Sequence, residues 1–477
     1  MNAARAREIN RDTRQIVLSK EAPRSDRLWS FPFTDLGNSE RLIDIHGADL
    51  RYCHPWRKWL VWDGQRFKLD ATAELVRRAK DTTRRMFSTA AVIEDADRRD
   101  RALKHARDTE KHSRIRAMVD LAAAEEGVPV LPEQLDSDPW LLNVLNGTLD
   151  LRNGCLREHR REDLITKLCP VAYDRGTDCP TWRGFQQRVT NGDEELLLFK
   201  QRAIGYALTG ALEKRSLFIY YGSGNNGKTT ELELLRDLFG DYAGQMRIES
   251  ITEQRRRDGN APSPDIADLR GLRLVVSSEP SEGQRLAENT VKYLTSMGTI
   301  KARHLHRENF EFQQTWKIYM DCNHKPVIRG TDAAIWNRIG LVSFEVTIPD
   351  GEIDPELPAK LRKELPGILA WAVDGCLAWR IHGLNPPASV QAATAEYRQE
   401  MDVIARFIED CCVLSDWSSA RGKMLYEKYQ KWCGETGENA QTMTSFGTLI
   451  SQRDGVTKIH DEKGVRYNGI GLLPDQS

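Results

Sequence analysis

The densest chemistry in the chain sits in Gly222-Ser223-Gly224-Asn225-Asn226-Gly227-Lys228-Thr229-Thr230. The spacing is G-x-x-x-x-G-K-[ST]. An apolar run, Leu217–Tyr221, precedes it and a helical pattern follows, the strand–loop–helix context in which this spacing cradles phosphates. Glycines let backbone N–H groups turn inward on phosphate oxygens. Lys228 is placed to reach the β and γ oxygens, and the Thr229 hydroxyl to ligate Mg²⁺. These nine residues are the expected nucleotide-binding set, for a nucleoside triphosphate with Mg²⁺.

Two acidic or amide tips follow. Leu272–Val276 reads as a buried strand ending in Ser277-Ser278-Glu279. An acid just past a core strand can hold Mg²⁺ or polarise water, so Glu279 joins Thr229 as a metal candidate and Lys228 as a catalytic one. A second strand, Trp316–Met320, ends in Asp321-Cys322-Asn323. There the Asn323 amide can orient an attacking water. Between them, Thr299–Phe312 reads as a hairpin with a basic tip. Lys301, Arg303, His304, His306 and Arg307 cluster in it, and Lys292 lies on the preceding helix. Cations so grouped track nucleic-acid phosphates without reading sequence. Arg255-Arg256-Arg257 reads equally as a mobile basic loop or a DNA contact.

The elements that must position these groups can be read outward from them. After Leu212, strands and helices alternate to about Pro349, as in an α/β layer. Upstream, residues 51–70 alternate and turn at Asp63-Gly64, a hairpin signal. Ala71–Glu126 is helical in pattern, and residues 141–159 read as two short strands joined at Asn153-Gly154. Leu384–Val390 contains two prolines and reads as a linker. The remainder reads as three helices and a hairpin turning at Asp461–Gly464. Leu425, Tyr429 and Trp432 recur at helical spacing and are assigned to a core. Thr444 is the expected cap of the last helix.

Composition bounds the rest. The 477 residues suggest about three domains. Apolar residues at 40% and charged residues at 29% exclude a disordered or collagenous chain. No apolar run approaches the ~18–20 residues of a membrane span, and nine cysteines without CxxC spacing indicate neither a disulfide framework nor a cysteine zinc site. A soluble cytoplasmic protein without membrane partners is expected. The 69 Lys and Arg against 70 Asp and Glu leave a charge of −1. That excludes a uniformly basic surface, not a local basic patch.

Taken together, these segments resemble superfamily 3 helicases, specifically the helicase half of phage, plasmid and poxvirus-type primase–helicases. The likeness is carried by GSGNNGKTT, RGLRLVVSSEPSEGQRL, TVKYLTSMGTIKARHLHRENFEF, KIYMDCNHKP, GTDAAIWNRIGLVSFEV and the upstream PWLLNVLNGTLDLRNG. It implies an AAA+-like P-loop ATPase core with an N-terminal α+β domain and a C-terminal winged-helix domain. The implied boundaries are a flexible tail at 1–20, an N-terminal domain at 21–180 and an ATPase with a helical collar at 181–349. A helical extension and linker at 350–390 and a winged helix at 391–477 complete it.

By position, Lys228 and Thr229 bind phosphate and Mg²⁺, Asn323 is the sensor and Glu279 the acid, with Arg338 a finger acting on a neighbouring subunit. Three positions depart from the pattern. Pro280 follows Glu279 where a second acid is frequent, leaving open whether Glu279 holds metal or polarises water. Thr299 stands where a carboxylate is common, and Asn337 where a second arginine is.

The resemblance implies a homo-hexameric ring hydrolysing ATP and translocating on single-stranded and forked DNA during replication of a phage, plasmid or related mobile element, with a separate primase or polymerase as partner. Asp95-x-Asp97 and Asp136-x-Asp138 have the spacing of metal-clamping acids but sit in helical and turn patterns, so no priming activity is expected. The alternatives are an ATP-gated origin-binding or loading protein and an AAA+ protein remodeller. In the last domain Lys423, Lys428, Arg453, Lys458, Lys463 and Arg466 are candidate phosphate contacts.

Overall fold

The computed structural model describes residues 27–213, 216–253, 264–303, 309–330, 333–462 and 464–474. It divides into two compact units, one ending at Tyr173 and the other starting at Asp174, against the break after 180 read from the sequence.

In the first unit, Thr34 starts helix α1 (Asp35–His46) by accepting from the Gly37 N–H. Strands β1 (Leu50–Cys53), β2 (Lys58–Trp62) and β3 (Phe67–Leu69) form an antiparallel meander. Its second turn falls at Asp63-Gly64, where the Asp63 carboxylate accepts from the Gln65 and Arg66 N–H groups. Helices α2 (Glu74–Ala90), α3 (Ala96–Thr109) and α4 (His112–Ala122) occupy the region read as helical.

A second meander, β4 (Leu141–Val144), β5 (Gly147–Asp150) and β6 (Cys155–Arg157), has three strands where two were read. The Asn153-Gly154 turn joins β5 to β6. The strand the reading missed, β4, pairs with β5 in register Leu142↔Leu149. Its LLNV run is buried at every position and so lacks the alternation that marks a strand.

Three of the four paired acids in this unit hold structural contacts. Asp95 caps α3 through the Arg98 N–H. Asp136 accepts from the Thr166 N–H, and Asp138 accepts from the Trp140 N–H and pairs with Arg152 at 2.9 Å.

The second unit is built around a parallel five-stranded sheet. In chain order its strands are β7 (Leu217–Tyr221), β8 (Ala243–Met246), β9 (Leu274–Ser277), β12 (Lys317–Cys322) and β13 (Ile339–Ser343), arranged β13-β7-β12-β9-β8. This is a mixed α/β fold, and the strand order has a consequence. The strand leading to the glycine loop lies between β13 and β12, so two strand tips besides its own open beside the loop.

Buried apolar runs explain the sheet: Leu217–Tyr220 and Ile318–Met320 are 0–1% exposed, as parallel strands covered on both faces require. Helices α5 (Pro180–Val189) and α6 (Glu194–Ala207) precede it. Helix α7 (Lys228–Phe239) follows the loop, and α8 (Glu288–Leu294) precedes the antiparallel pair β10 (Thr299–Ala302) and β11 (Phe310–Gln313). The long helix α9 (Leu365–His382) crosses α6 so closely that a Cβ on Gly205 would stand 2.1 Å from the Cys376 nitrogen.

Helix α10 (Ala388–Met401) begins directly after Pro387, inside the stretch read as a linker. Tyr397 is fully buried in the sheet's core, edge-on to Trp336 at 5.1 Å, so residues 391–401 pack with the sheet rather than with the final domain. That domain's own core starts at Ile404. Its order is α11 (Val403–Cys411), β14 (Cys412–Arg421), α12 (Gly422–Thr436), α13 (Met443–Ser451), β15 (Thr457–Asp461) and β16 (Gly464–Leu472). Leu425, Tyr429 and Trp432 are buried in it. Helix α13 is capped by Thr442, whose hydroxyl accepts from the Ser445 N–H, and not by Thr444, which lies within the helix. No described helix is long and apolar enough to cross a membrane.

Candidate functional site

The glycine loop leaves the C-terminal end of β7 and enters α7 through Gly227, whose φ is +88°. A side chain there would meet both a left-handed backbone and the Phe185 and Val189 side chains at 2.9 Å. The first-turn N–H groups of α7 lack intrahelical partners, and an anion is favoured at such a helix start.

Lys228 is 3% exposed. Its Nζ donates to the Gly222 carbonyl at 2.7 Å, to Asn226 Oδ1 at 3.1 Å and to Asn323 Oδ1 at 3.1 Å. Burial lowers its pKa from the ordinary lysine value, opposed by the charges of Asp321 and Glu279. A partly desolvated cation of this kind is poised for a phosphate.

Two strand tips, those of β12 and β9, converge beside it. Asn323, just past β12, receives Glu279 from beyond β9: its backbone N–H donates to Glu279 Oε1 at 2.7 Å and its amide to Oε2 at 3.2 Å. Asp321 lies on the same face of β12 two residues earlier, as strand alternation requires. Its Oδ2 accepts from the Thr229 hydroxyl at 2.7 Å, and its Oδ1 stands 3.8 Å from Lys228 Nζ. Lys228, Thr229, Glu279 and Asn323 are therefore brought together.

Asp321 was passed over in favour of the neighbouring amide, although the i, i+2 spacing in Asp321-Cys322-Asn323 carried the signal. Behind the loop, Glu231 is fully buried. It accepts from Lys200 at 2.7 Å, Gln186 at 3.0 Å and the Tyr220 hydroxyl at 2.9 Å. This network ties α5, α6 and β7 to the first turn of α7; a lone Glu in a helical run gave no signal of it.

Other candidates lie apart. Arg338 precedes β13, and its carbonyl accepts from the Leu217 N–H at the start of β7. The five residues of β13 separate it from the loop end of the sheet, about 16 Å at strand rise. Its guanidinium bonds the Ala334 carbonyl. Lys292 lies on α8, Lys301 is exposed on β10, and Arg303 follows that strand. His304, His306, Arg307 and Arg255–Arg257 lie outside the described residues. In the last domain Arg453 is bound bidentately to Asp402 at 2.5 and 2.7 Å, which removes it from the exposed cations. Lys463 lies outside the described residues.

The donor set beside the loop, a hydroxyl and carboxylates, consists of the hard oxygens Mg²⁺ takes. Among the described residues no cluster of three or more His, Cys, Asp or Glu could hold a metal by protein ligands alone. Mg²⁺ at phosphate sites uses one or two carboxylates with phosphate oxygens and water completing its shell, so the residues fit that ion.

Residues 39–191 match the family described as D5 N terminal like, and residues 399–467 the family described as Poxvirus D5 protein-like. Both matched segments are thus similar to D5-type proteins. Among its relatives, a "putative helicase" of Acanthamoeba polyphaga mimivirus is 28% identical over 63% of this chain and 33% of its own length. A "putative helicase" of Frog virus 3 is 25% identical over 68% of this chain and 41% of its own. A "putative primase" of African swine fever virus is 25% identical over 43% of this chain and 22% of its own. The chain spans well under half the length of these relatives. Among solved structures, the apo C-terminal region of NrS-1 is similar over 91% of this chain and 99% of its own, at 11% identity and a TM-score of 0.49.

Proposed function

We propose that this D5-type chain is an ATP-driven DNA helicase acting in replication of a virus-like, phage or plasmid element. The observation that carries the reading is the convergence of Lys228, Asn323 and Glu279 in one hydrogen-bonded chain at the loop end of the sheet. The strand order supports an AAA+-like core, since it sets the Asn323 strand between the glycine-loop strand and the Glu279 strand.

In this reading Lys228 exchanges its present acceptors for β and γ phosphate oxygens. Asn323, freed from Lys228, orients the attacking water, and Glu279 draws the proton from it. Mg²⁺ held beside Thr229 supplies charge neutralisation on the phosphates. Arg338 lies too far along the sheet to serve its own site and acts on a neighbour's nucleotide, which requires a ring or another closed head-to-tail assembly; six subunits is the proposed number. The β10–β11 hairpin, with Lys301 exposed, faces single-stranded DNA in the ring's pore. The α-β-α-α-β-β order of the last domain supports a winged helix. The relatives' names support a replication helicase over a protein remodeller.

The test is unwinding of forked DNA with ATP, beside a Lys228→Ala variant. Strand separation by the parent and none by the variant is expected. DNA-stimulated ATP hydrolysis without strand separation would favour an origin-loading protein instead. Mixing Arg338→Ala with Lys228→Ala subunits should restore part of the ATP turnover that each lacks alone. Normal turnover by Arg338→Ala would remove the finger assignment.

A further inference from the structure

The two acids beside the glycine loop do not do the same work. Glu279 has both carboxylate oxygens engaged by Asn323, one by its backbone N–H and one by its amide. Asp321 instead accepts the Thr229 hydroxyl at 2.7 Å. The topology explains the division. Strand β12 lies directly beside β7, in register Asp321↔Tyr220, whereas β9 is one strand further out. At ~4.8 Å between strands, the tip of β9 is offset by about 10 Å from the strand that leads to the loop. A carboxylate on β12 therefore reaches the first turn of α7, while one beyond β9 reaches the tip of β12. Pro280, standing where a second acid would follow Glu279, leaves the β9 tip with one carboxylate.

We propose that Asp321, and not Glu279, is the carboxylate on the Mg²⁺ side of the nucleotide, acting together with the Thr229 hydroxyl. Glu279 is then left free for the attacking water. The assignment rests on reading residues 222–230 as the nucleotide cradle, and it settles which of two roles each acid takes there. It also accounts for the 3.8 Å approach of Lys228 to Asp321: cation, hydroxyl and carboxylate already surround the place where the metal–phosphate unit would sit. The Thr229 hydroxyl donates to Asp321 and so keeps its lone pairs available, as a residue that would help hold Mg²⁺ must.

The test compares Asp321→Asn and Glu279→Gln in the full chain. Both are close in volume to the native residue, and matching melting curves would show that the fold is kept. Binding of AMP-PNP is measured by calorimetry in Mg²⁺ and in EDTA, and binding of Mn²⁺ to the AMP-PNP complex by electron paramagnetic resonance. Asp321→Asn is expected to weaken Mn²⁺ binding by about 10–100-fold and to lose most of the Mg²⁺-dependent gain in nucleotide affinity. Glu279→Gln is expected to bind metal and nucleotide within about 2-fold of the parent, while losing ATP turnover by about 100-fold or more. Loss of metal binding in Glu279→Gln with retention in Asp321→Asn would overturn the assignment, as would equal loss in both. If the parent itself bound no AMP-PNP in either condition, the cradle reading would fail and this inference with it.

Discussion

Lys228 and Arg41 are both buried cations, and they are built in opposite ways. Arg41, in the first unit, is fully buried. Nε donates to the Leu28 carbonyl at 2.8 Å, Nη1 to Pro32 at 2.9 Å and Nη2 to Phe31 at 2.7 Å, with Asn38 Oδ1 at 3.3 Å from Nη1. The rings of Trp29, Phe33 and Phe31 surround it at 5.3–6.0 Å. Burial pushes its pKa down to about 10, partly opposed by Glu40.

Lys228 has two side-chain amides and one carbonyl as acceptors, at an edge where Thr229, Glu279 and Asn323 are all exposed. Backbone carbonyls fixed by a folded loop cannot be exchanged for another acceptor. Side-chain amides at an open edge can. One cation closes a structure, and the other waits for a ligand.

The largest effect should separate the two by function. Lys228→Ala is expected to lower ATP turnover by about 100–1000-fold, as loss of a phosphate clamp does. Its melting transition should stay within about 1 kcal/mol of the parent, because Asn226, Asn323 and Gly222 can take water at the open edge. Calorimetric melting beside an ATPase assay reads both. A variant that unfolds would break the comparison, by making Lys228 structural as well.

Arg41→Met should behave the other way. Removing the guanidinium strands three backbone carbonyls under aromatic rings, at about 1–3 kcal/mol for a buried acceptor left without a donor, and a total loss of about 3–5 kcal/mol is expected. Nucleotide binding should be unchanged. Denaturant melts and AMP-PNP titration check the pair, and a variant as stable as the parent would show that the loop from Leu28 to Pro32 does not depend on Arg41.

The same contrast governs what could be read from sequence. The glycine loop proposed as the nucleotide cradle was legible because its pattern is local: glycine spacing, one lysine and one threonine lie within nine residues. Glu279 and Asn323 were legible as acids or amides at strand tips, which periodicity locates. Asp321 was not separated from Asn323, because both share one tip and only the strand order tells which reaches Thr229. Arg41 was illegible, since its partners are backbone carbonyls and nothing in Glu40-Arg41-Leu42 distinguishes it from a surface arginine. Helix α10 was misplaced because prolines at 386 and 387 mark a helix start as readily as a linker. Buried Val390 and Tyr397, seven residues apart, are what dock it on the sheet.

The smallest effect sharpens the closed site from its rim. His105 donates through Nε2 to Asn38 Oδ1 at 2.9 Å, the atom Arg41 also uses, and stacks on Phe33 at 5.2 Å. Burial, then the charges of Arg41 and Arg114, lower its pKa to about 4. The unfolded chain takes up a proton on His105 near pH 6.5, while the folded chain does so only near 4. Stability present at neutral pH is therefore lost as pH falls from 6.5 towards 4, and this residue contributes nothing further below that. The half-buried ring is partly screened by water, so about 1–2 kcal/mol is expected across that window.

His105→Gln retains a donor to Asn38 without the titration, and should flatten the slope of the first unit's unfolding free energy between pH 6.5 and 4. An equal slope in parent and variant would assign the pH dependence elsewhere. The direction follows first from burial of the ring and then from the charges of Arg41 and Arg114: a closed site already holding one cation disfavours a second. The proposed nucleotide site has its amide acceptors at an open edge, so its cation should respond to phosphate and not to mild acid.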